Sequence, residues 1–262
     1  MQASPLNRLA ANLEELGLEG MASSVPEYVR LVADGRKSLV DAMLELTDAQ
    51  IALKRRADDE RRTRMANFPY IKTLADFDWA WPEQCDQRAI AELMSLDFLG
   101  SATNAILIGS SGLGKTMIAQ NIAHQAVLQG HTVLFATAGQ LLGDLAGLDS
   151  DSALRYRLRR YAAPDLLVVD EVGYLSYSNR HADLLFELIN RRHEKKSTLI
   201  TTNKAFSEWG EVFPNASCVV AMIDRLVHHA EILSIKGESF RRKEAQEAAA
   251  AKSKTRKTKG GS

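Results

Sequence analysis

Apolar residues in the first third of the chain recur with a helical period. Leu6, Leu9, Leu13 and Leu16 fall at i, i+3, i+7 and i+10, which predicts one helix with a leucine stripe, closed by Gly17 as a left-handed stop with Leu18 as its hydrophobic contact. A second, short helix is expected over residues 26–33, with Pro26 in its first turn. A third starts at Ser38, whose hydroxyl can cap it together with Asp41, and carries Leu39, Met43, Leu46 and Leu53 on one side. Its stripe fades at Leu53, so the remainder predicts a basic, solvated rod that Phe68-Pro69 breaks.

Residues 68–82 change character, with Phe77, Trp79 and Trp81 in an aromatic-rich, extended stretch; these rings are expected to pack onto the following domain rather than to bind a ligand. A helix over 85–96 leads into that domain. From Asn104 onward, short aliphatic runs alternate with helical stretches, the sequence form of a parallel sheet covered on both faces. The runs 105–108, 133–136, 166–169, 198–201 and 232–235 predict five strands, and the fold class is α/β. The expected organisation is a helical N-terminal domain (1–67), a linker and lead-in helix (68–100), a core (101–243) and a tail (244–262).

Composition narrows this picture. The 262 residues are 45% hydrophobic and 25% charged, which excludes collagen, a coiled-coil rod and a wholly disordered chain. Cys85 and Cys218 lie far apart with no Cys-x-x-Cys, so neither a disulfide framework nor a structural zinc site is expected. Without an apolar h-region at the start or a run near the ~18 residues of a membrane span, the expected location is the cytoplasm. The formal charge cancels at 33 Lys+Arg against 33 Asp+Glu, yet its distribution is uneven. Lys54, Arg55, Arg56, Arg61, Arg62 and Arg64 face only Asp58, Asp59 and Glu60, and residues 252–259 read KSKTRKTK. The tail cannot bury enough apolar area to offset its ordering entropy, and disorder is expected there. His228-His229 are left without a role, as ordinary surface or interface residues.

The chemistry is concentrated in three places. Gly109, Ser110, Ser111, Gly112, Leu113, Gly114, Lys115 and Thr116 fit G-x-x-x-x-G-K-[ST] between a predicted strand and a predicted helix. Such a loop wraps phosphate with backbone N–H groups at a helix N-terminus, its lysine reaches the β- and γ-phosphates, and its threonine binds Mg²⁺. Downstream, LLVVDE places Asp170 and Glu171 at a strand tip, a Walker B form: Asp170 would help hold Mg²⁺, and Glu171 would orient and deprotonate water. The next strand ends in Thr202-Asn203, which makes Asn203 the candidate for positioning that water beside the γ-phosphate. ATP and Mg²⁺ are the expected cofactors, and hydrolysis the expected reaction.

With these residues on the page, the chain resembles the AAA+ ATPases, within them the branch of the insertion-sequence ATP-binding protein IstB and the helicase loader DnaC. The similarity covers the N-terminal basic helix, Leu74-Ala75-Asp76-Phe77-Asp78, GSSGLGKT, LLVVDE, the helix Leu185 to Arg192, TTN followed by Trp209, Asp224-Arg225-Leu226 and Gly237-Glu238-Ser239-Phe240-Arg241. The resemblance implies that Arg225 is an arginine finger reaching a neighbouring subunit's site, that Arg241 is the sensor-2 residue of its own, and that active sites lie between subunits of a homo-oligomer. Few residues follow Arg242, so the helical lid of most AAA+ proteins is expected to be nearly absent, as in this branch. Ser110-Ser111 and Leu113 depart from the usual loop residues, at positions expected to contribute mainly backbone N–H groups.

By the same resemblance the partners are double-stranded DNA and the transposase of the same insertion element, which ATP-bound subunits recruit or stimulate. The alternative is a DnaC-like helicase loader on single-stranded DNA. Two arginine groups are candidate DNA contacts: Arg55, Arg56, Arg61, Arg62 and Arg64 on the basic rod, and Arg155, Arg157, Arg159 and Arg160 on a helix whose Leu154, Leu158 and Tyr161 seam faces the core.

Overall fold

The computed structural model describes residues 4–69 and 73–245 and divides into two compact units, up to Arg61 and from Arg62 onward. The predicted tail beyond 245 lies outside the described residues, as do 70–72 within the predicted extended stretch.

In the first unit Ser4 caps α1 (Pro5–Glu15), accepting the Asn7 N–H at 3.3 Å. The helix ends as expected: Gly17 is left-handed at φ 71°, its N–H bonds Glu14 O at 2.9 Å, and Leu18 N–H reaches Leu13 O at 2.8 Å. The leucine stripe needs correction. Leu13 is buried with Leu6 and Ala10 packed beside it, whereas Leu9 and Leu16 are exposed, because the partner helix covers the i, i+4, i+7 set. That partner, α2 (Glu19–Ala33), begins seven residues before the expected start and carries Pro26 in its interior. Burial of Met21, Ala22 and Val25 against α1 outweighs the one helical bond that Pro26 cannot donate.

Ser38 opens α3 (Leu39–Ala66) as predicted, accepting Asp41 N–H at 3.1 Å while its hydroxyl bonds the Asp41 carboxylate at 2.7 Å. Only Ala42 and Leu46 are buried in its first half; Leu39, Met43 and Leu53, expected in the stripe, are exposed. The helix runs on largely solvated until its last turn, where Ala66 is buried in the second unit's core; the division between the units falls inside it, and its end at Asn67, φ 56°, matches the expected end at Phe68-Pro69.

The second unit is a five-stranded parallel sheet in the order β2-β3-β4-β1-β5. The 3₁₀ turn Leu74–Asp76, helix α4 (Gln87–Ser95, capped by Asp86) and the short α5 (Asp97–Gly100) lead into β1 (Asn104–Gly109). Then come α6 (Lys115–Leu128), β2 (Val133–Thr137), α7 (Ala138–Ala146), α8 (Asp151–Ala162) and β3 (Leu166–Val172). The chain continues through α9 (Asn179–Arg192), β4 (Ser197–Thr202), the one-turn α10 (Trp209–Val212), α11 (Ala216–Val227) and β5 (Ala230–Ile235). All five strands coincide with the predicted runs, extended by a few residues.

Strand side chains alternate between two cores, the period-2 signature of a sheet buried on both faces. Ile106, Leu134, Ala136, Leu167, Val169 and Ile200 face α7, α9 and α11, around Trp209 and Phe213. Ala105, Leu107, Val133, Phe135, Leu166, Val168 and Leu199 face α4 and α6. One charged side chain is built into this interior. Arg192, 1% exposed, donates to the carbonyls of Ala162 at 2.9 Å, Pro164 at 2.8 Å and Ser197, and to Thr198 Oγ1 at 3.1 Å. It ties the turn before β3 to the start of β4, and burial lowers its pKa to about 9.

Among the described residues no helix is long and apolar enough to cross a membrane.

Candidate functional site

The site stands at the carboxyl ends of β1, β3 and β4, where an open α/β sheet binds ligands. β1 runs into Gly109, the loop turns, and α6 starts at Lys115. Gly112 and Gly114 are left-handed, at φ 83° and 80°. A Cβ on Gly114 would strike the Phe77 ring, and one on Gly112 the Ser239 hydroxyl, so both positions need glycine for conformation and for close approach. Lys115 Nζ donates to Gly109 O at 2.6 Å and Ser110 O at 2.8 Å, folding the ammonium back onto its own loop. Burial pulls its pKa down to about 8; Asp170 and Glu171 oppose this, and Arg241 adds to it. Leu113 does more than supply an N–H, since its side chain is buried in the α4/α6 core.

Asp170 is buried at the end of β3, directly opposite the first turn of α6. Its two oxygens lie 3.0 and 3.1 Å from Thr116 Oγ1, and the Thr201 hydroxyl donates to it from β4. Burial raises its pKa against these hydrogen bonds and the Lys115 charge. One residue on, the backbone breaks from the sheet: Glu171 is left-handed at φ 62°, its N–H bonds Thr201 Oγ1 at 2.9 Å, and the β3/β4 register shifts between Val169 and Val172. This bulge turns Glu171 out of the core toward the cavity, a strained conformation of the kind that clusters at functional sites. At the end of β4, between the P-loop strand and the acidic strand, Asn203 Oδ1 is buried without a hydrogen-bond partner among the described residues.

Two distant segments close the site. Leu74 N–H bonds Asn121 Oδ1 on α6 at 3.2 Å, and the chain then lays Phe77, Asp78 and Trp81 beside the loop. From the other side comes the segment after β5. Trp81 Nε1–H donates to Glu238 O at 2.8 Å, Phe240 N–H to Gly112 O at 3.1 Å, and Lys243 Nζ lies 4.2 Å over the Trp81 ring. A cavity of about 540 Å³ results, lined by Phe77, Trp81, Lys115, Glu171, Tyr174 and Arg241 among others. Phe77 and Trp79 pack against the second unit's core as expected, and Phe77 and Trp81 also line this cavity. Tyr174, whose hydroxyl accepts from Ser111 at 3.1 Å, is a further lining residue that no sequence signal marked.

The structure therefore brings Gly109 to Thr116, Asp170, Glu171 and Arg241 together, with Asn203 at the end of the strand between β1 and β3. Arg225 is elsewhere, on the α9/α11 seam: Nε donates to Asn190 Oδ1 at 3.0 Å and the guanidinium lies 4.8 Å from the Phe186 ring. Of the basic rod, Arg56 pairs with Glu60 at 3.2 Å and Arg61 with Asp58 at 3.0 Å, while Arg55 and Arg64 are exposed and Arg62 is half-buried. On α8, Arg157 is turned inward onto Asp144, which also accepts from Tyr161, leaving Arg155, Arg159 and Arg160 exposed.

A cavity with phosphate-cradling backbone, a lysine, a hydroxyl–carboxylate pair and a second carboxylate fits a nucleoside triphosphate with a divalent ion. Comparison with known proteins agrees as to the nucleotide. The family model for IstB-like ATP binding proteins matches residues 11–248. The chain is 39% identical over 189 residues to a protein named as the ATP-binding protein of insertion sequence IS21 in Pseudomonas aeruginosa, covering 72% of this chain and 71% of that one. It is 34% identical over 237 residues to its counterpart from insertion sequence IS232 of Bacillus thuringiensis subsp. berliner, covering 90% and 95%. Among solved structures, DnaI superposes with a TM-score of 0.53 at 19% identity over 63% of this chain and 90% of that chain, a likeness of fold.

Proposed function

This chain belongs to the IstB-like ATP-binding proteins of insertion sequences, and on that premise we propose that it is a Mg²⁺-dependent cytoplasmic ATPase that assembles with copies of itself on duplex DNA and recruits or stimulates its element's transposase. The observation that carries the ATPase reading is that Lys115, Thr116 and Glu171 line one cavity, with Asp170 bonded behind Thr116 and Asn203 Oδ1, unpartnered among the described residues, at the end of the adjoining strand.

In this reading Lys115 exchanges the Gly109 and Ser110 carbonyls for β- and γ-phosphate oxygens, while the loop's N–H groups cradle the phosphates. Thr116 and Asp170 are the residues to hold Mg²⁺, which supplies charge neutralisation along the phosphates. Glu171 takes the proton of the attacking water and Asn203 orients that water. Arg241 meets the nucleotide of its own subunit. Arg225, displayed at a seam outside its own cavity, serves the cavity of a neighbouring copy, where its paired donors match the γ-phosphate charge. Phe77 and Trp81 offer flat faces beside the loop for the rest of the nucleotide.

DNA contact is assigned to exposed arginines: Arg55 and Arg64 as the most available members of the basic rod, and Arg155, Arg159 and Arg160 on α8. Phosphate contacts of this kind are indifferent to sequence and weaken with salt.

The test is analytical sedimentation with ATP and matched duplex or single-stranded DNA at two salt concentrations, with Glu171→Gln used to hold the ATP-bound state. The expected result is ATP-dependent growth into a large complex on duplex, lost in Lys115→Ala and weakened at the higher salt. Assembly confined to single strands would replace this reading with that of a helicase loader. Undiminished turnover in Glu171→Gln would remove that residue from its role.

A further inference from the structure

The seam between α9 and α11 is a run of contacts: the Cys218 thiol donates to the Ala182 carbonyl, Arg225 meets Asn190, and one turn further His228 meets His193. Both histidines are helix C-caps. His193 closes α9 with its N–H on Ile189 O at 2.8 Å, and His228 closes α11 with its N–H on Asp224 O at 3.0 Å. Glu194, the next residue, is left-handed at φ 57°, and the turn it makes is fixed by Lys195 and Lys196 N–H groups on the carbonyl of the buried Arg192. Glu194 Oε1 is thereby 3.6 Å from His228 Nδ1 and 4.0 Å from His229 Nε2.

One ligand atom from each of His193, Glu194 and His228 lies within 4.8 Å of the others, the only such group found among the described residues. Inward rotation of these side chains brings atoms this close onto one ion at bonds of about 2.1 Å. The donor set is also selective. Two neutral imidazoles and one carboxylate suit a borderline dication such as Zn²⁺, Co²⁺ or Ni²⁺, whereas Mg²⁺ and Ca²⁺ prefer all-oxygen shells. A site of this kind would be chemically separate from the magnesium position beside Thr116.

We propose that His193, Glu194 and His228 bind one borderline transition-metal dication that clamps the C-terminal ends of α9 and α11 together. Its position gives it a consequence. The clamp closes one helical turn beyond the Asn190–Arg225 contact, so the ion stiffens the element on which Arg225 is displayed. Two capped helix ends that otherwise meet through ring contacts gain a coordinate crosslink.

The experiment is a titration of the full, tag-free chain with Co²⁺ in nucleotide-free buffer, followed by visible absorption and then by displacement with Zn²⁺. One equivalent is expected to bind with the intense visible bands of a low-coordinate Co²⁺ site, and Zn²⁺ to abolish them. His193→Ala and His228→Ala should each weaken binding at least about tenfold, a loss typical of disturbed metal shells. Glu194→Gln, at an exposed position, should do the same without touching the packing, while His131→Gln changes nothing. Zn²⁺ should raise the Tm of the wild type and of His131→Gln only. Equal Co²⁺ affinity in the wild type and Glu194→Gln, or only the faint spectrum of a hydrated octahedral ion, would overturn the proposal.

Discussion

The Thr201 hydroxyl on β4 donates to the Asp170 carboxylate on β3, and the same oxygen accepts the N–H of Glu171. One buried side chain thus sets both carboxylates, the first by direct contact and the second by pinning the bulge that turns it out of the sheet. Thr201→Val keeps the shape but leaves the Glu171 N–H without an acceptor, whereas Thr201→Ser preserves the hydroxyl. We expect the valine variant to lose about tenfold or more in kcat with KM little changed, and the serine variant to recover most of it. Steady-state ATP hydrolysis by both variants checks this, and equal losses in the two would reduce Thr201 to a packing residue.

Burial holds Lys115 at a pKa of about 8, below its ordinary 10.5, so the loop lysine loses its charge across the mildly alkaline range. Triphosphate brings negative charge to that ammonium and restores its affinity for the proton. ATP binding is therefore accompanied by proton uptake near pH 8.5 and weakens by up to about tenfold per pH unit above pH 8. For the protein without nucleotide the sign is opposite. The unfolded chain holds this proton up to about 10.5, the folded one only to about 8, so the Lys115 contribution to stability grows as pH rises between these values. Calorimetry of ATP binding in two buffers of different ionisation enthalpy measures the uptake, which Lys115→Arg should abolish.

Arg192 donates to backbone carbonyls on both the β3 approach and the β4 start, and among the described residues no carboxylate forms an ion pair with it. Arg192→Met would strand those acceptors in the interior at about 1–3 kcal/mol each, for a total of roughly 3 kcal/mol or more. Arg192→Lys, with one nitrogen in place of a planar fork, should lose nearly as much. Urea unfolding monitored by circular dichroism reads both, and a midpoint within error of wild type would show that water replaces the guanidinium at no cost.

What the sequence made legible follows from how local each signal is. The P-loop is a contiguous spacing, and each strand of a doubly covered sheet is a contiguous aliphatic run, so both were found in place, together with the Schellman end of α1 and the Ser38 cap of α3. The leucine stripes of α1 and α3 were misjudged because several leucines satisfy the period and the partner helix decides which is covered; Leu9, Leu16 and Leu53 lost that choice. Pro26 misled for a related reason, since packing on α1 carried the helix through a residue that weakens it locally. Trp81 and Phe240 escaped notice as a pair because their meeting depends on how two ends of the second unit return to one loop. His193 and His228 were equally invisible, as nothing in their spacing announces a shared seam.

The indole of Trp81 touches the carbonyl of Glu238 and the ammonium of Lys243 at the rim of the cavity, while Trp209 is enclosed in the core and insulated from it. A fluorophore whose neighbours are a polar carbonyl, a positive charge and the nucleotide chamber cannot stay spectrally constant when that chamber fills. The chain carries its own optical gauge of occupancy, readable without a label once the signals of Trp79 and the buried Trp209 are subtracted with a Trp81→Phe control.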